Sequence, residues 1–229
     1  MGTKREADLN GLSGLAVRPR LLSEEIYSTL RQAIIEERLP PGMKIVEERL
    51  ANELGVSRIP LREALHKLER DGFVESLAHR GFRVTAFDIQ DIEEIYSIRE
   101  LLEVPAAVQS CGQISEQAFA QMTVALQGMR DASASDDTMA VVGHHIRFHR
   151  AIYDAGDNKR LANLLGPFLE LGFTVGVARR TGEVGWEAFL ADHAALLAVI
   201  QQGEPEAIER QMKEHLNRGR AIALQVAHH

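Results

Sequence analysis

The chain has 229 residues, 45% hydrophobic and 26% charged, which is enough to bury a core and too many for one small module. Those proportions exclude a disordered or fibrous chain, and the lone Cys111 excludes a disulfide framework or a cysteine-based zinc finger. The net charge of −7 argues against a nucleic-acid partner only as an average: residues 1–85 carry 14 Lys/Arg against 13 Asp/Glu, whereas the remainder carries 12 against 20. A near-neutral front on an acidic rear is a hint of nucleic-acid contact in the front half.

Residues 1–20 are polar and aperiodic and predict a flexible tail; they contain no apolar h-region, so no secretory signal is expected. A first helix is predicted from Ser23 to Arg38, carried by Ile26, Leu30, Ala33 and Ile34 and ended by Pro40-Pro41-Gly42. A short helix follows from Glu47 to Leu54, and Ser57 is placed to cap a third that reaches Asp71-Gly72. Phe73–Ser76 and Phe82–Thr85 alternate around a polar tip, Ala78 to Gly81, and predict a β-hairpin. Beyond Phe87 the pattern is helical throughout. Helices are predicted from Asp88 towards Cys111, with Pro105 as a kink, and over 115–133, 137–155, 158–180, 186–201 and 205–226. Breaks fall at Gly112, Ser133 to Asp137, Gly156, Thr181-Gly182 and Gly203. The apolar stretch Leu161 to Ala178 is interrupted by Asn163, Gly166, Pro167 and Glu170, so it predicts a buried helix and no membrane contact. The expected fold is mostly α: a winged helix-turn-helix with a small β-hairpin wing over 21–86, then an all-helical bundle of about six helices over 87–227.

Glu47 to Lys67 has the layout of a helix-turn-helix. Leu50, Ala51 and Leu54 form one inward stripe, Gly55 the turn, and Leu61, Ala64, Leu65 and Leu68 the stripe of the second helix. Arg58, Arg62 and His66 are four residues apart and form one row on another face, as a helix entering the major groove requires. Arginine suits guanine because its planar fork meets O6 and N7 together.

The sequence here resembles the N-terminal domain of GntR-type bacterial transcription regulators. The resemblance is carried by PPG at 40–42, LANELGVSRIPLREAL at 50–65, DGFV at 71–74 and RGFRV at 80–84. It implies operator DNA as partner, with Ser57, Arg58 and Arg62 reading it and the wing residues His79, Arg80 and Gly81 beside it. Some relatives carry a further DNA-contacting Arg where this chain has Glu48. A symmetric homodimer would present two recognition helices to a short palindrome.

Four of the nine histidines have a suggestive placement. His145 and His149 lie one helical turn apart, and His193 and His215 fall on later helices. Imidazoles converging from three helices can hold a divalent metal; each alone reads more readily as a partly buried polar residue than as a ligand. Residues 88–226 resemble the metal-binding FCD type of effector domain in the FadR branch, through YSIRELLEVPAA at 96–107, HxxFH at 145–149, DHAALLAVIQQGE at 192–204 and MKEHL at 212–216. That resemblance implies a divalent metal on an Asp and three His, beside a pocket for a small carboxylate effector. The three His correspond to His149, His193 and His215, and the Asp position is occupied by His145. An all-nitrogen set favours Zn²⁺ or Ni²⁺ over Mn²⁺. Arg99 stands where relatives place an arginine near the pocket; it fits either a bidentate carboxylate partner or a structural ion pair to an acid on a neighbouring helix.

A metal-dependent hydrolase is the contrasting reading. A zincin needs HExxH, and His145-Ile-Arg-Phe-His149 supplies no Glu as base. No GxSxG, P-loop or GxGxxG is present. The expectation is therefore no enzyme but a cytoplasmic, effector-responsive repressor; a rear domain that only dimerises is the other alternative.

Overall fold

The computed structural model describes residues 21–77, 81–172 and 175–227. The tail 1–20, the wing-tip residues His79 and Arg80, and His228-His229 lie outside the described residues.

Helix α1 (Leu21–Ile35) buries Ile26, Leu30 and Ile35 against α3 (Arg58–Arg70). It ends three residues before the predicted Arg38, in a turn leading to Pro40-Pro41. Helix α2 (Glu47–Leu54) stops at Gly55, whose left-handed backbone (φ +65°) closes the helix on the carbonyls of Ala51 and Asn52. Ser57 stands at the N-cap of α3 in an extended conformation, but its side chain makes no capping hydrogen bond. Its hydroxyl thus stays exposed on the surface of the motif.

The wing is a three-stranded antiparallel sheet, ordered β1 (Lys44–Ile45), β3 (Gly81–Val84), β2 (Val74–Leu77). Val74 pairs with Val84, and Ile45 with Phe82. The predicted hairpin is β2–β3; β1 adds an edge that two residues are too short to announce by alternation. Gly81 has φ +87°, and a Cβ there would lie 2.7 Å from the carbonyl oxygen of Ile45. Only glycine lets β1 approach so closely.

Seven helices follow among the described residues: α4 (Ile89–Ser110), α5 (Glu116–Ala134), α6 (Thr138–Asp154), α7 (Lys159–Gly172), α8 (Val175–Val184), α9 (Trp186–Gln202) and α10 (Pro205–Ala227). Asp88 opens α4 with a capping box: its carboxylate accepts from Asp91 N–H, and Asp91 accepts from Asp88 N–H, both at 2.9 Å. The stretch predicted as one helix over 158–180 comprises α7 and α8, with residues 173–174 between them outside the described set. The break predicted at Thr181-Gly182 falls instead at Gly185, whose φ is +122°. The Thr181 hydroxyl donates to the Val177 carbonyl one turn back, so the threonine is satisfied inside α8.

Two apolar clusters hold the chain together. One joins Leu61, Leu65, Leu68, Phe73 and Val84 of the front to Ile92, Leu171, Val177 and Ala223 of the rear. The other, around Met122, Met129, Phe148, Ile152, Leu196 and Met212, is the centre of the bundle. An ion pair also joins front to rear: Arg31 Nη1 of α1 donates to both carboxylate oxygens of the buried Glu170 of α7, at 2.6 and 2.7 Å. No described helix is long and apolar enough to cross a membrane.

Candidate functional site

On α3 the buried stripe Leu61, Ala64, Leu65 and Leu68 turns Arg58, Arg62 and His66 outwards, and all three are exposed. They line an open groove with Lys44, Glu47 and Glu48 on one side and Ser76, Gly81 and Phe82 of the wing on the other. Arg62 stands 3.8 Å from Glu47, a loose contact that leaves its guanidinium available. His66 is held on Glu69 at 2.9 Å and edge-on to Phe82, so its ring is oriented by the wing. Gly81 lies in the groove, where its first service is the close approach of β1.

The rear domain carries its histidines inside the core. On α6, His145 and His149 belong to the buried stripe that includes Val141, Val142, Phe148 and Ile152. His193 of α9 and His215 of α10 face them, and one ring nitrogen from each of the four lies within 4.8 Å of the others. All four are buried.

The partners of three rings assign their tautomers. His193 Nδ1 is 2.8 Å from the carbonyl oxygen of Phe189, and His215 Nδ1 is 2.7 Å from an Asp192 carboxylate oxygen; both partners only accept, so both nitrogens carry the proton. His149 Nδ1 is 3.1 Å from the Tyr153 hydroxyl, which donates its own proton to Glu103, so His149 too is protonated on Nδ1. The three Nε2 atoms are thereby aimed into one space. His149 Nε2 and His215 Nε2 face each other at 3.1 Å, and His193 Nε2 is buried without a hydrogen-bond partner. That contact and the orphaned His193 Nε2 call for a cation among the rings, a shared proton or a metal ion. Two nitrogens bound tetrahedrally at ~2.05 Å would be about 3.3 Å apart, close to the observed separation.

Burial, reinforced by the neighbouring rings and Arg99, holds His145 and His149 well below the usual imidazole range, and His193 is pushed down to about 3 by burial and by His215. All three rings are therefore neutral at pH 7, as metal ligation requires. Burial opposes ionisation of Asp192, but the hydrogen bond and charge of His215 and the contact with Arg218 outweigh it and hold the carboxyl below its usual range. Burial and the Glu103 charge push the Tyr153 hydroxyl well up, which keeps it a donor.

Arg99 reaches this centre from α4. Its Nε donates to Glu103 at 2.5 Å, and both side chains are nearly inaccessible to solvent (3% and 0%). The acid is thus one turn along its own helix, not on a neighbouring helix. Glu103 accepts from Arg99 on one oxygen and from Tyr153 on the other, so it links Arg99 to His149 through Tyr153. A cavity of about 230 Å³ opens beside the cluster, lined at one end by Tyr96, Arg99, His145 and His215.

Sequence reasoning missed Glu103, Tyr153 and Asp192. The first two were open to it: Tyr153 is one turn beyond His149, and Glu103 one turn beyond Arg99. Asp192 serves His215, 23 positions away, so only the packing of α9 on α10 reveals it. Asn158 caps α7, accepting from Leu161 N–H at 3.1 Å.

Comparison with known proteins agrees with this anatomy. The model of the "Bacterial regulatory proteins, gntR family" matches residues 22–84, and that of the FCD domain matches residues 94–218. The HTH-type transcriptional regulator YdhC of Bacillus subtilis is 29% identical over 195 residues, 84% of this chain and 87% of that protein. The probable D-xylose utilization operon transcriptional repressor of Paenarthrobacter nicotinovorans is 27% identical over 207 residues, covering 88% and 90%. The solved structure of Escherichia coli McbR/YncC shares the fold, with a TM-score of 0.78 at 21% identity over 92% of this chain and 99% of that one. The chain belongs to the GntR family of bacterial transcription regulators, with an FCD domain behind its winged helix-turn-helix.

Proposed function

We propose that this regulator, of the FadR branch, binds a palindromic operator as a homodimer in the cytoplasm, and that a small carboxylate effector bound beside a divalent metal alters its operator affinity. Repression is the mode we assign, by analogy with the relative named as a repressor. The observation that carries the reading is the pairing of an exposed Arg58–Arg62–His66 row with a buried four-histidine centre opening on a cavity.

On the DNA side, Arg58 and Arg62 supply base-reading forks, and Ser57, His66 and the wing residues His79, Arg80 and Gly81 supply the flanking contacts. On the effector side, His145, His149, His193 and His215 would hold the ion, and their all-nitrogen donor set favours Zn²⁺ or Ni²⁺. The ion supplies an uncompensated positive charge, which an anionic ligand offsets. Arg99 orients that ligand; its own charge is already balanced by Glu103. Linkage requires that an effector which releases DNA bind the DNA-free form more tightly.

Gel shifts on the region upstream of the protein's own gene test the DNA half. The wild type should bind a palindrome there at moderate salt, and Arg62→Ala should lose that preference. Equal operator affinity of the two proteins would refute the assignment of α3 as the reading helix.

A further inference from the structure

The carboxylate reading says what the effector's head is; the remaining walls of the cavity say what its body is. Away from the histidines, the cavity is lined by Val177 and Val184 of α8, Ala188 and Phe189 of α9, and Leu216 and Ile222 of α10. Among the described residues, the polar side chains Thr181 and Asp192 on these walls are already engaged. The Thr181 hydroxyl spends its proton on the Val177 carbonyl at 2.8 Å. The Asp192 carboxylate accepts from His215 at 2.7 Å and from Arg218. The volume, about 230 Å³, lies below the roughly 300–1,000 Å³ of pockets for drug-sized ligands.

We infer that the effector is a small monocarboxylate with a compact hydrocarbon body, a short branched aliphatic chain or a single aromatic ring, and not a sugar acid or polyhydroxy acid. This rests on the carboxylate reading above and narrows it. The charge pattern orients the occupant. Arg99 and His145 are buried at one end, whereas the Arg218 side chain is 48% exposed and Val184 63% exposed, so solvent meets the cavity at the Arg218 and Val184 end. The carboxylate goes inward to the histidines and Arg99, and the hydrocarbon body fills the space between α8, α9 and α10. Each hydroxyl on a polyhydroxylated body would lose its water there and find donors and acceptors already paired. An apolar body loses nothing polar and removes its own surface from water. The charges of the described lining residues agree: Arg99 is balanced by Glu103 and Arg218 by Asp192, so the anion answers to the ion held by the histidines.

The test uses full-length, untagged, Zn²⁺-loaded protein titrated calorimetrically with benzoate, 3-methylbutanoate, tartrate, gluconate and the neutral 3-methylbutanol. Benzoate or 3-methylbutanoate should bind at least ten-fold more tightly than tartrate or gluconate, and the alcohol should not bind measurably. Ala188→Leu fills the cavity and Val184→Asp puts a negative charge on its wall. Both positions are exposed, so folding and zinc content should be unchanged while binding of the apolar acids falls at least ten-fold. Tighter binding of tartrate or gluconate overturns the hydrocarbon body and leaves the carboxylate reading standing. Binding of the alcohol as strong as that of the acid, or no binding of any acid, overturns both. Unaltered binding of the apolar acids in both variants places them outside this cavity and overturns the inference.

Discussion

Helices α3 and α6 each carry titratable side chains at intervals of four, and they put them to opposite uses. Arg58, Arg62 and His66 stand outside the stripe of Leu61, Leu65 and Leu68, and meet water. His145 and His149 stand within the stripe of Val141, Phe148 and Ile152, and meet each other, two more histidines, Tyr153 and the rings of Phe148 and Phe189. Spacing aligns side chains; the apolar residues beside them decide whether they read a solvated partner or enclose a bound one. In the exposed row each charge is screened and individually modest. In the buried set every donor must have an acceptor, so second partners such as Glu103 become as necessary as the ligands.

That contrast is sharpest in two ion pairs with the same spacing. Arg99–Glu103 is buried, and Arg49–Glu53 is exposed with side chains 80% and 57% accessible. Glu103→Gln leaves a buried guanidinium uncompensated and should destabilise the fold by about 3–5 kcal/mol. Glu53→Gln should change stability by less than ~0.5 kcal/mol. Urea denaturation of the two variants compares them directly, and equal effects would erase the distinction.

The next largest effect is on pH dependence. A histidine that stays neutral when folded takes up a proton on unfolding below the ordinary imidazole value of about 6.5. With His193 at about 3 and His145 and His149 also depressed, stability of metal-depleted protein is full above about pH 6.5 and is lost as the pH falls from there towards 3. Thermal melts between pH 8 and 4 should show that fall. A midpoint independent of pH would mean that the rings are not buried neutral.

Tyr153→Phe removes the acceptor that fixes the His149 tautomer, without touching a ligand. Zinc affinity, measured by competition with a chromogenic chelator, should fall roughly 10–100-fold. An unchanged affinity would show that the tautomer is fixed by other means. On the exposed side, Arg62→Ala should weaken operator binding by about 1–3 kcal/mol while leaving zinc content and unfolding midpoint as in wild type. A fall in zinc content alongside the loss of operator binding would break the separation between the two regions.

Much of this was legible in the sequence. The row on α3 followed from Arg58, Arg62 and His66 standing beside a leucine stripe, and the four histidines were named before their helices were packed. Local signals erred where tertiary contacts override them. Thr181-Gly182 reads as a break, but the threonine bonds back into its own helix. Ser57 reads as a side-chain cap, but its hydroxyl makes no capping hydrogen bond. Strand β1 has no pattern of its own and exists because Gly81 admits it. Arg99 is legible as a pocket residue, but its partner Glu103 is not, because a buried i, i+4 pair looks in sequence like any surface one. Asp192 needed the fold itself, since its partner is on another helix.

The central claim is that the buried histidines hold an ion and are not simply polar core residues. Elemental analysis of untagged protein, grown and purified under metal-replete conditions, tests it most directly. One divalent ion per chain is predicted in the wild type, with affinity falling by at least ~100-fold in both His149→Ala and His193→Ala. Metal-free wild type, or full occupancy retained in both variants, would contradict it.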